Sequence, residues 1–102
     1  MKTRTMFSLY VPREHQDSPL ARQAVVQCLL QRFGGYTVAN VDGGYTMADG
    51  SVAIESVWRF DIVCAGTPED REYMRVLARS VRYLLRQESV LLTARKLEAS
   101  FV

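Results

Sequence analysis

The segment from Val52 to Ala65 constrains the fold most, because its residues alternate between two different faces along its whole length. Such a period of two indicates a long strand whose more apolar face lies on the core. We expect the half-polar face to meet water, a ligand or another subunit. The apolar face, interrupted only by Ser56, contains Val52, Ile54, Trp58, Phe60, Ile62 and Cys64. The half-polar face contains Ala53, Glu55, Val57, Arg59, Asp61 and Val63.

A hairpin is predicted immediately before this strand, because Asp49-Gly50 is a dipeptide typical of tight turns between strands. Tyr36 to Val41 is the partner strand, Asp42-Gly43-Gly44 is a turn or bulge, and Tyr45 to Ala48 extends the strand. With the turn centred on Asp49-Gly50, positions whose numbers sum to about 100 should pair. This register predicts that Tyr45 lies directly across the hairpin from Glu55.

Two helices are predicted from their caps and apolar stripes. Ser18-Pro19 is typical of an N-cap followed by the first helical residue, and Gly34-Gly35 ends that helix. Thr67-Pro68 begins the second helix with a threonine cap. The first stripe comprises Leu20, Ala24, Val25, Cys28, Leu29 and Phe33, with Val26 and Leu30 beside it. The second comprises Tyr73, Leu77, Val81, Leu84 and Leu85, with Met74, Val76 and Ala78 beside it.

Two further strands complete the order βαββαβ. Thr5 to Val11 alternates until Pro12 ends it, and Ser89 to Leu97 forms the last strand before a short tail. This order predicts an α+β, ferredoxin-like fold, in which a four-stranded antiparallel sheet carries both helices on one face. We expect one domain spanning residues 1–102, with the uncovered sheet face available for self-association.

Composition excludes several classes of protein. The 102 residues are 48% hydrophobic and 24% charged, which argues against disorder. No apolar run is long enough for a membrane span, and the start of the chain lacks the apolar region of a signal peptide, so we expect a cytoplasmic protein. Cys28 and Cys64 each lie among apolar neighbours, which favours free buried thiols over a disulfide. Neither cysteine has a second ligand at chelating spacing, so no metal site is expected.

Most catalytic motifs are absent from the sequence. The single histidine, His15, lies in a polar loop and is interpreted as a solvated side chain, and no nucleotide-binding glycine motif is present. No cofactor is therefore predicted. Five arginines share one face of the second helix, which is either a solvated face or, less favoured, a phosphate-binding stripe for nucleic acid. They are Arg71, Arg75, Arg79, Arg82 and Arg86. The net charge of +2 does not by itself indicate a nucleic-acid partner.

One polar cluster is a candidate binding site. It comprises Tyr36, Tyr45, Glu55, Arg59 and Asp61, of which the last three lie on the half-polar face of the long strand. An aromatic ring beside a carboxylate can hold an organic cation. The alternative is an ordinary exposed sheet face with an Arg–Asp ion pair.

Several motifs resemble a widespread group of small ferredoxin-like proteins. The matching runs are Arg32-Phe33-Gly34-Gly35-Tyr36-Thr37-Val38, Gly43-Gly44-Tyr45, Asp49-Gly50, Glu55, Gln87-Glu88-Ser89-Val90-Leu91 and Phe7-Ser8-Leu9-Tyr10-Val11-Pro12. One branch of the group is a bacterial family of unknown function, often exported, with tryptophan usual at the position of Tyr45. Another is the small phage-encoded S-adenosylmethionine lyases, related in fold to trimeric PII-like proteins. The tyrosine and the missing signal peptide favour the phage branch.

The resemblance implies an activity and a site. The lyases use a tyrosine and a glutamate from this hairpin, between subunits, and Tyr45 and Glu55 are the matching positions. It therefore implies cleavage of S-adenosylmethionine to methylthioadenosine and homoserine lactone by a homo-oligomer, a trimer, in the host cytoplasm. Tyr36, Arg59 and Asp61 are candidate substrate-binding residues beside this pair. The alternatives are a non-enzymatic PII-like oligomer that binds a small ligand or partner protein, and a nucleic-acid binder that uses the helix arginines.

Overall fold

Four strands form one antiparallel sheet in the computed structural model, which describes residues 1–102. The elements are β1 Lys2–Pro12, α1 Ser18–Phe33, β2 Thr37–Thr46, β3 Val52–Cys64, α2 Pro68–Leu84 and β4 Leu92–Ala99. The strand order in the sheet is β2-β3-β1-β4. This topology confirms the ferredoxin-like prediction. Neither helix has the length and apolar character needed to cross a membrane.

The core lies between the helices and one face of the sheet. Phe60 and Ile62 of β3 are almost fully buried there, next to alternate residues of β1 and the inner faces of both helices. The residues of β1 in this core are Phe7, Leu9 and Val11, and the helices contribute Ala21, Val25, Leu29, Met74, Leu77, Ala78, Val81 and Leu85. The period of two in β3 therefore predicted the core correctly over the half of the strand nearest Cys64.

The other half of β3 corrects that prediction. Val52 and Ile54 were predicted to face the core, but they are 68% and 77% exposed. They lie near the hairpin turn, and they are absent from the core formed with the helices. Val57, on the face predicted to be open, is instead buried. The hairpin therefore carries exposed apolar side chains, while part of the opposite sheet face is covered.

The helix ends follow the predicted chemistry in two of three cases. Thr67 caps α2 in a reciprocal capping box with Asp70, and Gly34 ends α1 in the left-handed conformation with φ 80°. The prediction that Ser18 is the N-cap of α1 is wrong, because Asp17 occupies that position. Ser18 is fully buried inside the first turn, where its hydroxyl donates to the carbonyl oxygen of Pro12 at 2.7 Å. It thus joins α1 to the end of β1.

The helix stripes and the last strand also need correction. Leu20 and Leu30 were predicted to belong to the buried stripe of α1, but both are about half exposed, and Val76 of α2 is likewise exposed. The last strand begins at Leu92 rather than Ser89 and continues to Ala99, where a tail was predicted. The residues before Leu92 form an irregular connection between α2 and β4.

Candidate functional site

A cavity of about 620 Å³ lies beside the β2–β3 hairpin on the face of the sheet away from the helices. We call it the hairpin cavity. It is lined by Tyr10, Pro12, Val41, Asp42, Gly43, Gly44, Tyr45, Met47, Glu55, Val57, Arg86, Gln87, Glu88, Ser89, Val90 and Leu91. Its volume is within the range of small-molecule sites, and its wall combines apolar and polar side chains as such sites do.

Tyr45 and Glu55 both line the hairpin cavity, although the predicted register was wrong by two residues. Tyr45 pairs with Ala53, and Glu55 pairs with Gly43. The reason is a five-residue turn, in which the N–H of Met47 donates to the carbonyl oxygen of Ser51. A shift of two keeps each side chain on its original face. Tyr45 and Glu55 are therefore diagonal neighbours on the face that lines the cavity.

Glu55 has an uncompensated carboxylate. Partial burial, and to a smaller degree the negative charge of Glu14, raise the pKa of Glu55 above its ordinary value. No arginine, lysine or histidine forms a salt bridge with it. Glu14 lies in the loop before α1. This loop is held against β3 by the backbone N–H of Arg13, which donates to the carbonyl oxygen of Ser56. Glu55 is thus a partly buried carboxylate that forms no salt bridge within the chain.

The charged side chains around the hairpin cavity are mainly acidic. Glu55 and Glu88 line it, against one cation, Arg86. Asp42 also borders the cavity, but its carboxylate accepts a 2.9 Å hydrogen bond from the hydroxyl of its cross-strand partner Ser56 and lies on the opposite sheet face from Glu55. Because negatively charged side chains repel an anion and attract a cation, this wall favours a ligand with a positively charged group.

Arg59 and Asp61 lie on the same sheet face but compensate each other. The Nε of Arg59 donates to Oδ2 of Asp61 at 3.1 Å, and the hydroxyl of Ser8 donates to Oδ1 at 2.6 Å. Arg59 lines a separate cavity of about 320 Å³, which shares only Tyr10 with the hairpin cavity. Within one chain these two residues are thus apart from the predicted pair Tyr45 and Glu55.

Tyr36 lies on the opposite face of the sheet from the hairpin cavity. Its ring centroid is 5.7 Å from that of Phe60, a core residue. It lines another cavity, of about 450 Å³, together with Trp58 and Arg22, whose guanidinium lies 4.9 Å from the Trp58 ring centroid. The five residues of the sequence-predicted cluster thus occupy three different places in the fold.

The wall opposite the hairpin was missed by sequence reasoning. Residues 86–91 line the hairpin cavity where a strand was predicted to begin at Ser89. Arg86 follows α2 in the left-handed conformation, with φ 51°, and the N–H of Gln87 donates to the carbonyl oxygen of Arg82. These contacts redirect the chain after the helix. The polar run Gln87-Glu88-Ser89 was the available sign of a loop.

The five arginines of the second helix do not form one uniform stripe. Arg71 lies over the Phe7 ring, 5.8 Å from its centroid, and Arg86 lines the hairpin cavity. Arg75, Arg79 and Arg82 line a groove of about 510 Å³ between α2 and residues 89–92. We call this the arginine groove.

The remaining candidates take no part in these cavities. His15 Nδ1 accepts a hydrogen bond from the N–H of Asp17, within the loop before α1. Cys28 and Cys64 are free and half-buried. Burial raises the pKa of the Cys64 thiol, as does the nearby Asp70 carboxylate. No three His, Cys, Asp or Glu side chains are grouped as metal ligands would be.

Solved structures of three kinds share this fold. A phage S-adenosylmethionine lyase in complex with S-methyl-5'-thioadenosine matches 91% of this chain and 81% of its own, with a TM-score of 0.66 and 19% identity. CutA from Synechococcus elongatus matches 98% of this chain and 81% of its own, with a TM-score of 0.60 and 15% identity. Bacillus subtilis GlnK with ATP matches 92% of this chain and 82% of its own, with a TM-score of 0.55 and 15% identity.

Sequence comparison does not assign the chain to a family. No protein-family profile matches the chain, and no curated protein does. At 15–19% of identical residues a likeness of structures defines the fold and not the reaction. The chain therefore has the fold shared by the phage S-adenosylmethionine lyase, CutA and GlnK.

Proposed function

We propose that the protein is an S-adenosylmethionine lyase whose substrate occupies the hairpin cavity. The observation that carries the proposal is the placement of Tyr45 and Glu55 on one cavity wall, with Glu55 partly buried and without a cationic partner. The fold shared with a phage lyase that holds S-methyl-5'-thioadenosine supports the same substrate class. Glu55 would hold the substrate ammonium group, and the Tyr45 ring would contact the cationic substrate.

The reaction needs no nucleophile from the protein. One carboxylate oxygen of the substrate attacks its own Cγ, and the Cγ–S bond breaks with its electron pair moving to sulfur. The sulfonium becomes the neutral thioether of methylthioadenosine, and the new C–O bond closes homoserine lactone, whose ammonium group is retained. The positive charge at sulfur is lost during this step. A site that bends the chain of the substrate, without strongly stabilising the sulfonium, therefore accelerates it.

The charge distribution of the hairpin cavity suits the binding of this substrate. Glu55 and Glu88 lie on a wall with one cation, Arg86, so the permanent ammonium group has two possible anionic neighbours. Arg86 is the lining group that could orient the substrate carboxylate. Tyr36, Arg59 and Asp61 lie outside this cavity in the same chain and have no role in the proposed step.

We further propose that the active form is a homo-oligomer, a trimer, with the site at the subunit interface. The hairpin exposes Tyr45, Met47, Val52 and Ile54 by between 41% and 77%. Val52 and Ile54 lie on the opposite face of the hairpin from Tyr45, and exposed apolar side chains on a chain of 102 residues are typical of association surfaces. Because Tyr45 also lines the hairpin cavity, a second subunit packed there would close the cavity to water.

A direct assay tests the proposal. Purified protein of measured solution mass is incubated with S-adenosylmethionine, and methylthioadenosine and homoserine lactone are quantified by liquid chromatography and mass spectrometry. Equimolar formation of both products is expected, above the rate of spontaneous cleavage in a buffer control. Absence of turnover by a folded oligomer would refute the lyase. Binding of S-adenosylmethionine without turnover would instead support the alternative, a non-enzymatic ligand-binding oligomer like the fold neighbour with bound ATP.

A further inference from the structure

The arginine groove has a concentration of positive charge that the fold itself does not require. Arg75, Arg79 and Arg82 project from the outer face of α2, whereas the inner face contributes Met74, Leu77 and Val81 to the core. The three arginines meet at one cavity because their spacing places them on one side of the helix. A purely solvating role would not require a concave surface beside them.

Internal compensation of this charge is weak. Glu72 is the acidic partner, and its two carboxylate oxygens lie 3.9 Å from Arg75 and 3.9 Å from Arg79. The side chains in both pairs are more than half exposed, so solvent screens the attraction. Arg82 forms no salt bridge. Glu72 itself does not line the groove, which leaves its wall without a negative charge.

The opposite wall limits what can bind. Residues 89–92 close the groove with the hydroxyl-bearing Ser89 and three apolar residues, Val90, Leu91 and Leu92. A volume of about 510 Å³ fits a small molecule. From Arg75 to Arg82 the helix rises by about 10 Å, which spans a few phosphate groups rather than a long polyanion. Glu69 and Glu72 at the start of α2 oppose extension of a polyanion in that direction.

We propose that the arginine groove is a binding site for a small polyanion, such as an organic polyphosphate, and that it is separate from the hairpin cavity. Guanidinium groups suit this ligand because they donate two parallel hydrogen bonds to phosphate oxygens. Ser89 is placed to donate a further hydrogen bond, and the apolar residues of the wall contact the uncharged part of the ligand. Ser89, Val90 and Leu91 also line the hairpin cavity, so one short segment separates the two sites.

Inorganic tripolyphosphate is the probe, titrated into the intact protein by isothermal calorimetry at fixed ionic strength. Arg82→Gln should weaken its binding by at least about 10-fold, because a charge-assisted contact is lost without breaking an internal ion pair. Arg95→Gln is the matched control, since Arg95 lines the cavity on the other sheet face. It removes the same charge and should change the affinity less than about 2-fold.

A second pair of variants has the opposite expected sign. Glu72→Gln should strengthen tripolyphosphate binding by about 3-fold or more, because it removes the one acid that contacts Arg75 and Arg79. Glu98→Gln on β4 adds the same net charge away from the groove and should have little effect. Equal effects of both arginine variants would overturn the site, since they would indicate general charge attraction. A short nucleic-acid duplex that binds more tightly than tripolyphosphate, and loses affinity in Arg82→Gln, would overturn the small-ligand class.

Discussion

Two carboxylates, the buried Asp70 at the start of α2 and the half-buried Glu55 on the β2–β3 hairpin, differ in how the chain compensates their charge. Asp70 Oδ1 accepts a hydrogen bond from Arg32 at 3.1 Å, and its Oδ2 accepts from the N–H groups of Gly66 and Thr67. Burial alone would raise the pKa of Asp70, but these donors hold it below the ordinary value. Burial raises the pKa of Glu55, and no donor opposes it.

This difference separates a carboxylate that stabilises the fold from one that is available to a ligand. Every oxygen of Asp70 has a partner in the chain, so its charge stabilises the helix terminus and the contact between α1 and α2. Glu55 destabilises the folded state when ionised, and a bound cation would reverse that effect. An ionised group whose partner is missing is a candidate for binding or catalysis.

The largest expected effect is on turnover in the Glu55→Gln variant. Glutamine keeps the size of the side chain but removes the charge that would hold the substrate ammonium group. We expect kcat/KM for S-adenosylmethionine to fall by at least about 100-fold, as when one partner of a desolvated ion pair is lost. Asp70→Asn, assayed below its melting temperature, should retain activity within about 2-fold. A Glu55→Gln variant with more than about a tenth of wild-type activity would remove Glu55 from the site.

The second effect concerns stability, where Asp70 should dominate. Asp70→Asn should lower the free energy of unfolding by about 2 kcal/mol at pH 7, because it loses charge-assisted bonds and half of the capping box. The lowered pKa means that the folded state binds the proton less tightly than the unfolded state. The stabilisation is therefore present above the ordinary pKa of 3.8 and is lost as the pH falls through the folded value.

Urea unfolding of the wild type and of Asp70→Asn between pH 3 and 7 measures this effect. The matched control is Glu69→Gln, an exposed acid in the same helical turn, which should change the stability by less than about 0.5 kcal/mol. An equal loss in both variants would indicate that only the helix dipole matters. A pH-independent loss in Asp70→Asn would contradict the role assigned to its charge.

The same contrast explains what the sequence could predict. Thr67, Pro68 and Asp70 form a cap whose partners are within four residues of one another, so its structure could be predicted locally. The partner in the other helix, Arg32, could not, because the two residues are 38 positions apart and meet only in the folded chain. Alternation likewise predicted β3 and the core face near Phe60, since period and burial agree there.

The candidate site depends on contacts that have no local pattern. Tyr45 and Glu55 were placed on the right face but in the wrong register, because the turn spans Met47–Ser51 and not Asp49-Gly50 alone. The wall of residues 86–91 depends on Arg86 adopting a conformation that usually favours glycine. Val57, on the sheet face predicted to be open, lines the same cavity and is buried. Because the residue at this position is arginine and not glycine, the sequence did not indicate the change of chain direction after α2.

The smallest effect is the most discriminating, because it has the opposite sign to that of Asp70→Asn. A raised pKa means that folded Glu55 binds its proton more tightly than unfolded Glu55, so stability decreases as the pH rises from the ordinary value of 4.5 through the folded value. Glu55→Gln should therefore raise the free energy of unfolding at pH 7. The gain should be less than about 1 kcal/mol, since solvent screens a partly exposed group, and it should vanish below pH 4.5.

Thermal unfolding by circular dichroism, from pH 3 to 8, measures this gain. If Glu55→Gln lost turnover and also lost stability at pH 7, its inactivity could be damage to the hairpin, and the contrast with Asp70 would fail. If the variant is more stable and inactive, the negative charge of Glu55 in the wild type lowers the stability of the fold, as expected of a residue needed for function. Addition of S-adenosylmethionine should then raise the melting temperature of wild type more than that of Glu55→Gln, because only the wild-type carboxylate gains a cationic partner.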